Sequence, residues 1–148
     1  MSDYIVKIIP IDCTYSVTNE QSNHILKFIK SKIKADDIKT FIYETPVFVD
    51  CGSNLKTISC PHCGMELDFD WWGESMDTAS EDNFKDLSVT MPCCGKESTL
   101  NDLLYDFPCG FACLEFDIFN PSTNFDNEAL SIIKDLLGNP IRVVHAHI

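Results

Sequence analysis

The chain has 148 residues, of which 45% are hydrophobic and 23% are charged, and its formal net charge at pH 7 is −12. This composition excludes a disordered chain, and the length fits a single domain with a substantial core. The charge disfavours nucleic-acid binding, because Lys and Arg are needed to displace counterions from phosphates and Arg142 is the only arginine.

The amino-terminal part is predicted to form two strands around one helix. Residues 4–11 are β-branched and apolar on both faces, which is typical of a central strand. A capping-box pattern over 18–21 begins a helix whose helically spaced apolar residues run to Ile33. Residues 38–50 are predicted to form a second strand, in which Pro46 indicates an edge, a bulge or a bend.

The carboxyl-terminal part repeats this order. A short helix is predicted over 98–107, and a strand over 111–119. Polar residues at 122–124 are candidate caps for the next helix, and Gly138 is a typical stop signal for it. A final strand is predicted over 141–148.

Outside the middle of the chain the order is therefore β-α-β, insert, β-α-β. Two such units can pair into one antiparallel four-stranded sheet with both helices on one face, the ferredoxin-like arrangement. We expect an α+β fold of two layers: a single domain over 1–148 with a zinc-ribbon insert over 51–106. The most apolar strands, 4–11 and 111–119, should lie in the centre of the sheet.

The first residues, MSDYIVKIIPID, carry neither a positively charged leader nor a long apolar run, so no secretory signal and no membrane association are expected. A cytoplasmic location is therefore expected. In a reducing compartment the eight cysteines favour metal ligands or reactive thiols over disulfides.

Two short cysteine motifs lie in the insert. Residues 60–64, CPHCG, place two thiolates on one tight turn, in which glycine permits the required positive φ. Residues 91–96, MPCCGK, repeat the shape. The motifs predict one structural zinc ion with four thiolate ligands, Cys60, Cys63, Cys93 and Cys94.

Met91 occupies the position where the second motif should have its first cysteine. A thioether is a poor zinc ligand, so another group has to complete the site. Cys93 does so if the turn is sharp enough, and Cys109, Cys51 and His62 are the substitutes.

The two knuckles make residues 58–97 similar to the zinc-ribbon, or rubredoxin-like, families, which pair such knuckles around one tetrahedral metal. Cys60 and Cys63 match the first knuckle fully, and Cys94 matches the second cysteine of the second knuckle. The chain also resembles small bacterial proteins that carry a CPxCG and a PCCG motif, a resemblance that implies no activity.

Residues 65–71 alternate between apolar and acidic, which predicts a strand with its carboxylates on one face. Glu66, Asp68 and Asp70 would form that face, and Trp72 would project from the same side as an apolar anchor. The stripe is either a solvated face or a docking surface for a basic protein.

The expected function is that of an acidic cytoplasmic interaction module with a structural zinc ion and no catalytic residues. Bacterial immunity proteins, which neutralise a basic partner, are one concrete form. A nucleic-acid-associated zinc ribbon is an alternative, although the basic patch it needs is missing. A thiol-dependent enzyme is a further alternative, and the partner and the oligomeric state stay open.

Overall fold

The computed structural model describes residues 3–123 and 125–147. The described residues form these helices and strands in chain order: β1 (Tyr4–Pro10), α1 (Asn19–Lys32), β2 (Asp37–Val49), β3 (Ile58–Ser59), α2 (Phe69–Ser80), β4 (Ser88–Thr90), β5 (Glu97–Thr99), β6 (Leu104–Tyr105), β7 (Gly110–Phe119), α3 (Asn127–Leu137) and β8 (Ile141–His147).

Four of the strands form the main sheet, in the order β2-β7-β1-β8, with antiparallel pairing throughout. The two strands with the most continuous apolar sequence, β1 and β7, are the central pair. β7 is buried from Gly110 to Ile118. The described residues therefore form a mixed α/β fold built on a small antiparallel sheet, with three helices.

Helices α1 and α3 pack on one face of this sheet and against each other. The predicted capping box at the start of α1 is present, since Thr18 and Gln21 bond each other's backbone N–H groups. The buried residues between the helices and the sheet form a helix-side cluster: Val6, Ile8, Ile25, Ile29, Ile33, Ile38, Leu114, Phe116, Ile118, Ile133 and Leu137.

The segment 50–109 leaves the sheet at the end of β2 and returns at the start of β7, where Val49 and Gly110 are direct partners. It contains α2 and four short strands, and it has its own core. This ribbon cluster consists of Ile58, Cys60, Leu67, Ala79, Leu87, Met91, Leu100, Leu103 and Phe111. Because Phe111 belongs to β7, the ribbon cluster is packed directly onto the sheet.

Polar contacts fasten the segment to the sheet at two places. Buried Asn101 donates to the carbonyl of Ile11 at 3.0 Å and accepts from the backbone N–H of Phe111 at 2.9 Å. At the outer edge, Gly52 forms a parallel bridge with His147, and the Asn54 side chain donates to the His145 carbonyl at 2.9 Å.

The predicted strand over 65–71 is wrong. Asp68 is instead the N-cap of α2, and its side chain accepts from the backbone N–H of Asp70 at 2.8 Å. A helix is favoured here because Trp72, Met76 and Ala79 then face the ribbon cluster together.

Two further predictions need correction. Residues 98–107 form parts of β5 and β6 joined by a turn, so the predicted short helix is wrong. Helix α3 is capped by Asp126 and not from within 122–124. Asn124 and Ile148 lie outside the described residues, so the last residue of the predicted strand 141–148 is untested.

In the part of the chain that the structure describes, no helix is both long enough and apolar enough to cross a bilayer.

The cap of α3 can be tested by stability. The Asp126 carboxylate accepts from the backbone N–H of Ala129 at 2.7 Å. Asp126→Ala should lower the free energy of unfolding by about 1 kcal/mol, because one N–H at the helix start loses its acceptor. Exposed Asp135→Ala, on the same helix, should change it by less than about 0.5 kcal/mol. Equal effects in urea denaturation would rule out this role for the cap.

Candidate metal centre

The two cysteine motifs fold into the same turn. In the first, the N–H of Gly64 donates to Cys60 at 3.0 Å, and that of Cys60 donates to Met65 at 2.9 Å. In the second, Gly95 donates to Met91 at 2.9 Å and Met91 to Lys96 at 2.8 Å. The motifs therefore superimpose position by position, with Met91 equivalent to Cys60 and Cys94 equivalent to Cys63.

A glycine is required at the same position of each turn. Gly64 has φ of +77° and Gly95 has φ of +72°, a left-handed conformation that costs other residues about 1 kcal/mol or more. The turn is what lets the two cysteines of 60–64 approach one point.

The two turns face each other and bring four sulfur atoms together. The Sγ atoms of Cys60, Cys63, Cys93 and Cys94 all lie within 4.8 Å of one another. Cys60 Sγ is 3.8 Å from Cys94 Sγ, and Cys63 Sγ is 3.3 Å from Cys93 Sγ. A tetrahedral ion with metal–sulfur bonds of about 2.3 Å requires sulfurs about 3.8 Å apart, so the cluster is close enough to bind a metal ion.

Burial explains why Met91 stands where the second motif should have its first cysteine. Met91 is 1% exposed and belongs to the ribbon cluster, where its apolar side chain packs against the neighbouring core residues. Cys93, two residues later on the same turn, reaches the other three sulfurs instead. A core residue, Met91, thus occupies the first position of the second knuckle, and Cys93 supplies the fourth sulfur.

The thiols differ in acidity. Burial raises the pKa of Cys60, but the backbone N–H groups of Cys63 and His62 outweigh it and bring the pKa down to about 6. The hydrogen bond to Cys63, followed by burial, raises the pKa of Cys93 to about 12. Four thiolates this close repel one another, and a divalent cation among them offsets that repulsion.

His62 belongs to the first knuckle, but its side chain is not part of the four-sulfur cluster. Its Nε2 is 2.9 Å from the carbonyl oxygen of Glu97, at the start of β5, so the imidazole links the first knuckle to the hairpin of the second. Such contacts around a metal site orient its ligands.

The other candidate ligands lie elsewhere. Cys51 and Cys109 are fully buried in a third apolar cluster with Ile9, Val49 and Val144, and burial raises the pKa of both thiols. Neither belongs to the four-sulfur group. Their proximity to each other follows from the β2–β7 pairing, which no local motif reveals.

The predicted partner-binding residues do not share one strand face. Glu66 is exposed beside β3, Asp68 caps α2, and Asp70 lies in the first turn of that helix. Trp72 is half-buried, packs against Phe48, and donates its indole N–H to the Tyr105 hydroxyl at 3.3 Å. The exposed apolar side chains next to these acids are instead Met65 and Phe69.

Ligand identity can be tested with two matched serine variants. Cys93→Ser removes a sulfur of the cluster, whereas Cys109→Ser removes a buried thiol outside it. Elemental analysis of the purified proteins should show strong loss of bound metal for Cys93→Ser and about one ion per chain for Cys109→Ser. The reverse result would assign the fourth ligand to Cys109.

Comparisons of the chain with protein-family models, with curated proteins and with solved structures find no match. The interpretation of the four-cysteine cluster accordingly depends on its own geometry: two equivalent turns, sulfur spacings suited to one tetrahedral ion, and a buried methionine where the second knuckle should have its first cysteine.

Proposed function

We propose that this protein is an acidic interaction module whose fold is stabilised by one structural zinc ion. The observation that carries the proposal is the cluster of four cysteine sulfurs within 4.8 Å of one another. A site made only of thiolates suits zinc and is typical of structural centres.

A structural role is favoured over a catalytic one by the donor set. Catalytic zinc sites keep three protein ligands and an open position for water, usually with His or carboxylate among the ligands. Here four sulfurs would fill the tetrahedron, and Cys60 is itself part of the ribbon cluster. The ion would therefore fasten the two knuckles to each other above that core.

The proposed architecture is a ferredoxin-like body with the ribbon inserted into it. The strand order β2-β7-β1-β8, and the two helices on one face, support the ferredoxin-like body. The separate core of 50–109 and its two knuckles support a zinc-ribbon insert over about 51–106 within the single domain.

The partner is proposed to be a basic protein in the cytoplasm, as for an immunity protein. The net charge of −12 supports this class, since such a field speeds encounter with cationic surfaces. The ribbon contributes exposed acids at Glu66 and Asp70, next to the exposed side chains of Met65 and Phe69. A mixed surface of this kind suits a cationic partner that also presents an apolar group.

The structural role of zinc can be tested by removing and replacing the metal. Purified protein should contain about one zinc per chain, and a strong chelator should lower the thermal midpoint by about 10 °C, as expected for a loss of a few kcal/mol. Cobalt should restore the midpoint and show the absorption spectrum of a tetrahedral four-thiolate ion. Metal-free protein that unfolds at the same temperature as the metal-loaded protein would disprove the structural role. A cobalt spectrum that indicates a water ligand on the ion would disprove the closed site.

The docking surface can be tested with charge reversals that leave the α2 cap intact. Glu66→Lys with Asp70→Lys should slow association with a basic protein captured from a lysate of the native host about tenfold at low salt. The matched control is Glu44→Lys with Asp135→Lys, which alters net charge equally at exposed sites outside the ribbon.

Equal slowing by both pairs would remove the ribbon surface as the docking site.

Binding of DNA or RNA at physiological salt, measured by a mobility shift, should be negligible because few cations are present to release counterions. Submicromolar binding in that assay would favour the nucleic-acid-associated alternative.

A further inference from the structure

Two carboxylic acids are buried in the middle of the main sheet. Glu115 and Asp117 are only 5% and 6% exposed, and both belong to the central strand β7. Their neighbours Leu114, Phe116 and Ile118 belong to the helix-side cluster. Because side chains alternate along a strand, the two acids lie together on the opposite face of the sheet.

The charged and polar groups around this pair come from the two neighbouring strands. Lys7 of β1 and Lys39 of β2 are the direct partners of Asp117 on either side. Lys39 is directed to Asp37, with Nζ at 3.6 Å from its carboxylate, and lies over the Phe119 ring. Tyr43 of β2 donates its hydroxyl to Glu115 Oε1 at 2.8 Å.

The remaining oxygens of the pair have no donor. Glu115 Oε2 and Asp117 Oδ1 are buried, and neither accepts a hydrogen bond among the described residues. Neither acid forms an ion pair within 4.0 Å in that same part of the chain. Two unpaired carboxylates in one buried site are strongly unfavourable, whereas one added proton turns two acceptors into a donor and an acceptor.

We propose that Glu115 and Asp117 form a proton-binding site and hold one proton in common at neutral pH. The two carboxyl groups lie two residues apart on the same face of β7, and each has a buried oxygen without a donor. The proton neutralises one charge and supplies the missing donor, so the protonated pair fits the buried face. Loss of the proton leaves two like charges on the strand that joins β1 to β2.

The acidity of Asp117 agrees with this assignment. Burial, followed by the hydrogen bond and the charge of Glu115, raises the pKa of Asp117 from 3.8 to about 8, while Lys7 acts in the opposite direction. Burial, followed by the hydrogen bond that Tyr43 donates to Glu115, raises the pKa of Tyr43, which keeps that hydroxyl protonated as a donor.

The direction of the pH effect follows from these pKa values. Between about pH 4 and pH 8 the folded chain holds a proton that the unfolded chain has released. Unfolding therefore releases a proton, and stability should fall as pH rises through this window. His145, whose pKa burial lowers, acts in the opposite sense, so the effect has to be measured as a difference between variants.

The test compares full-length, zinc-saturated wild type with Asp117→Asn, in which the amide cannot titrate. Urea denaturation between pH 6 and pH 8 should show the unfolding constant of wild type rising about tenfold per pH unit relative to the variant. Exposed Asp135→Asn is the matched control and should follow wild type. Parallel pH profiles for wild type and Asp117→Asn would overturn the proposal.

A direct measurement keeps the proposal testable if Asp117→Asn does not fold. The infrared spectrum of wild type should contain a protonated-carboxyl band at pH 6.5 that disappears above pH 8.5. Full ionisation of all carboxyls at pH 6.5 would overturn the proposal. So would a strong gain in stability at pH 6.5 on adding Mg²⁺ or Ca²⁺, because that result assigns the pair to a metal cation.

Discussion

The pairing of Val49 with Gly110 constrains everything that lies between them. These residues are direct partners at the junction of β2 and β7, so the segment 50–109 has to leave the sheet and return to the point where it left. Closing so long a loop costs conformational entropy, and the short strands within it do not offset that loss by themselves. The ribbon cluster supplies apolar contacts, and a metal ion between Cys63 and Cys93, thirty residues apart, would divide the loop into shorter closed pieces.

The elements that sequence predicted well are those whose signals are local. Thr18 and Gln21 cap α1, Gly138 ends α3 in the left-handed conformation, and the apolar runs of β1 and β7 indicated central strands. The failure at 65–71 has an equally local cause. Four apolar residues at every second position suggested a strand, but an aspartate cap followed by Trp72, Met76 and Ala79 on one helical face describes the same segment better.

The candidate site divides in the same way. A CPxCG turn is determined by five residues, so Cys60 and Cys63 could be identified without knowing the fold. Choosing among Cys93, Cys51, Cys109 and His62 needs long-range information, because it depends on which groups the sheet pairing and the ribbon cluster bring close. The surroundings of Glu115 and Asp117 are also a long-range property, since their neighbours on β1 and β2 are set by the sheet pairing.

The contact between Gly52 and His147 has a consequence for self-association. β2 and β8 are the edges of the main sheet, and an exposed edge offers unpaired backbone groups to a strand from another copy. β2 is interrupted by a register shift between Ile42 and Val47, next to Pro46, which hinders strand addition. The carboxyl end of β8, at His145 and His147, contacts residues 52–54 instead, the start of the same segment that carries the cysteines. Order in that segment therefore also shields this end of β8 from edge-to-edge pairing with another copy.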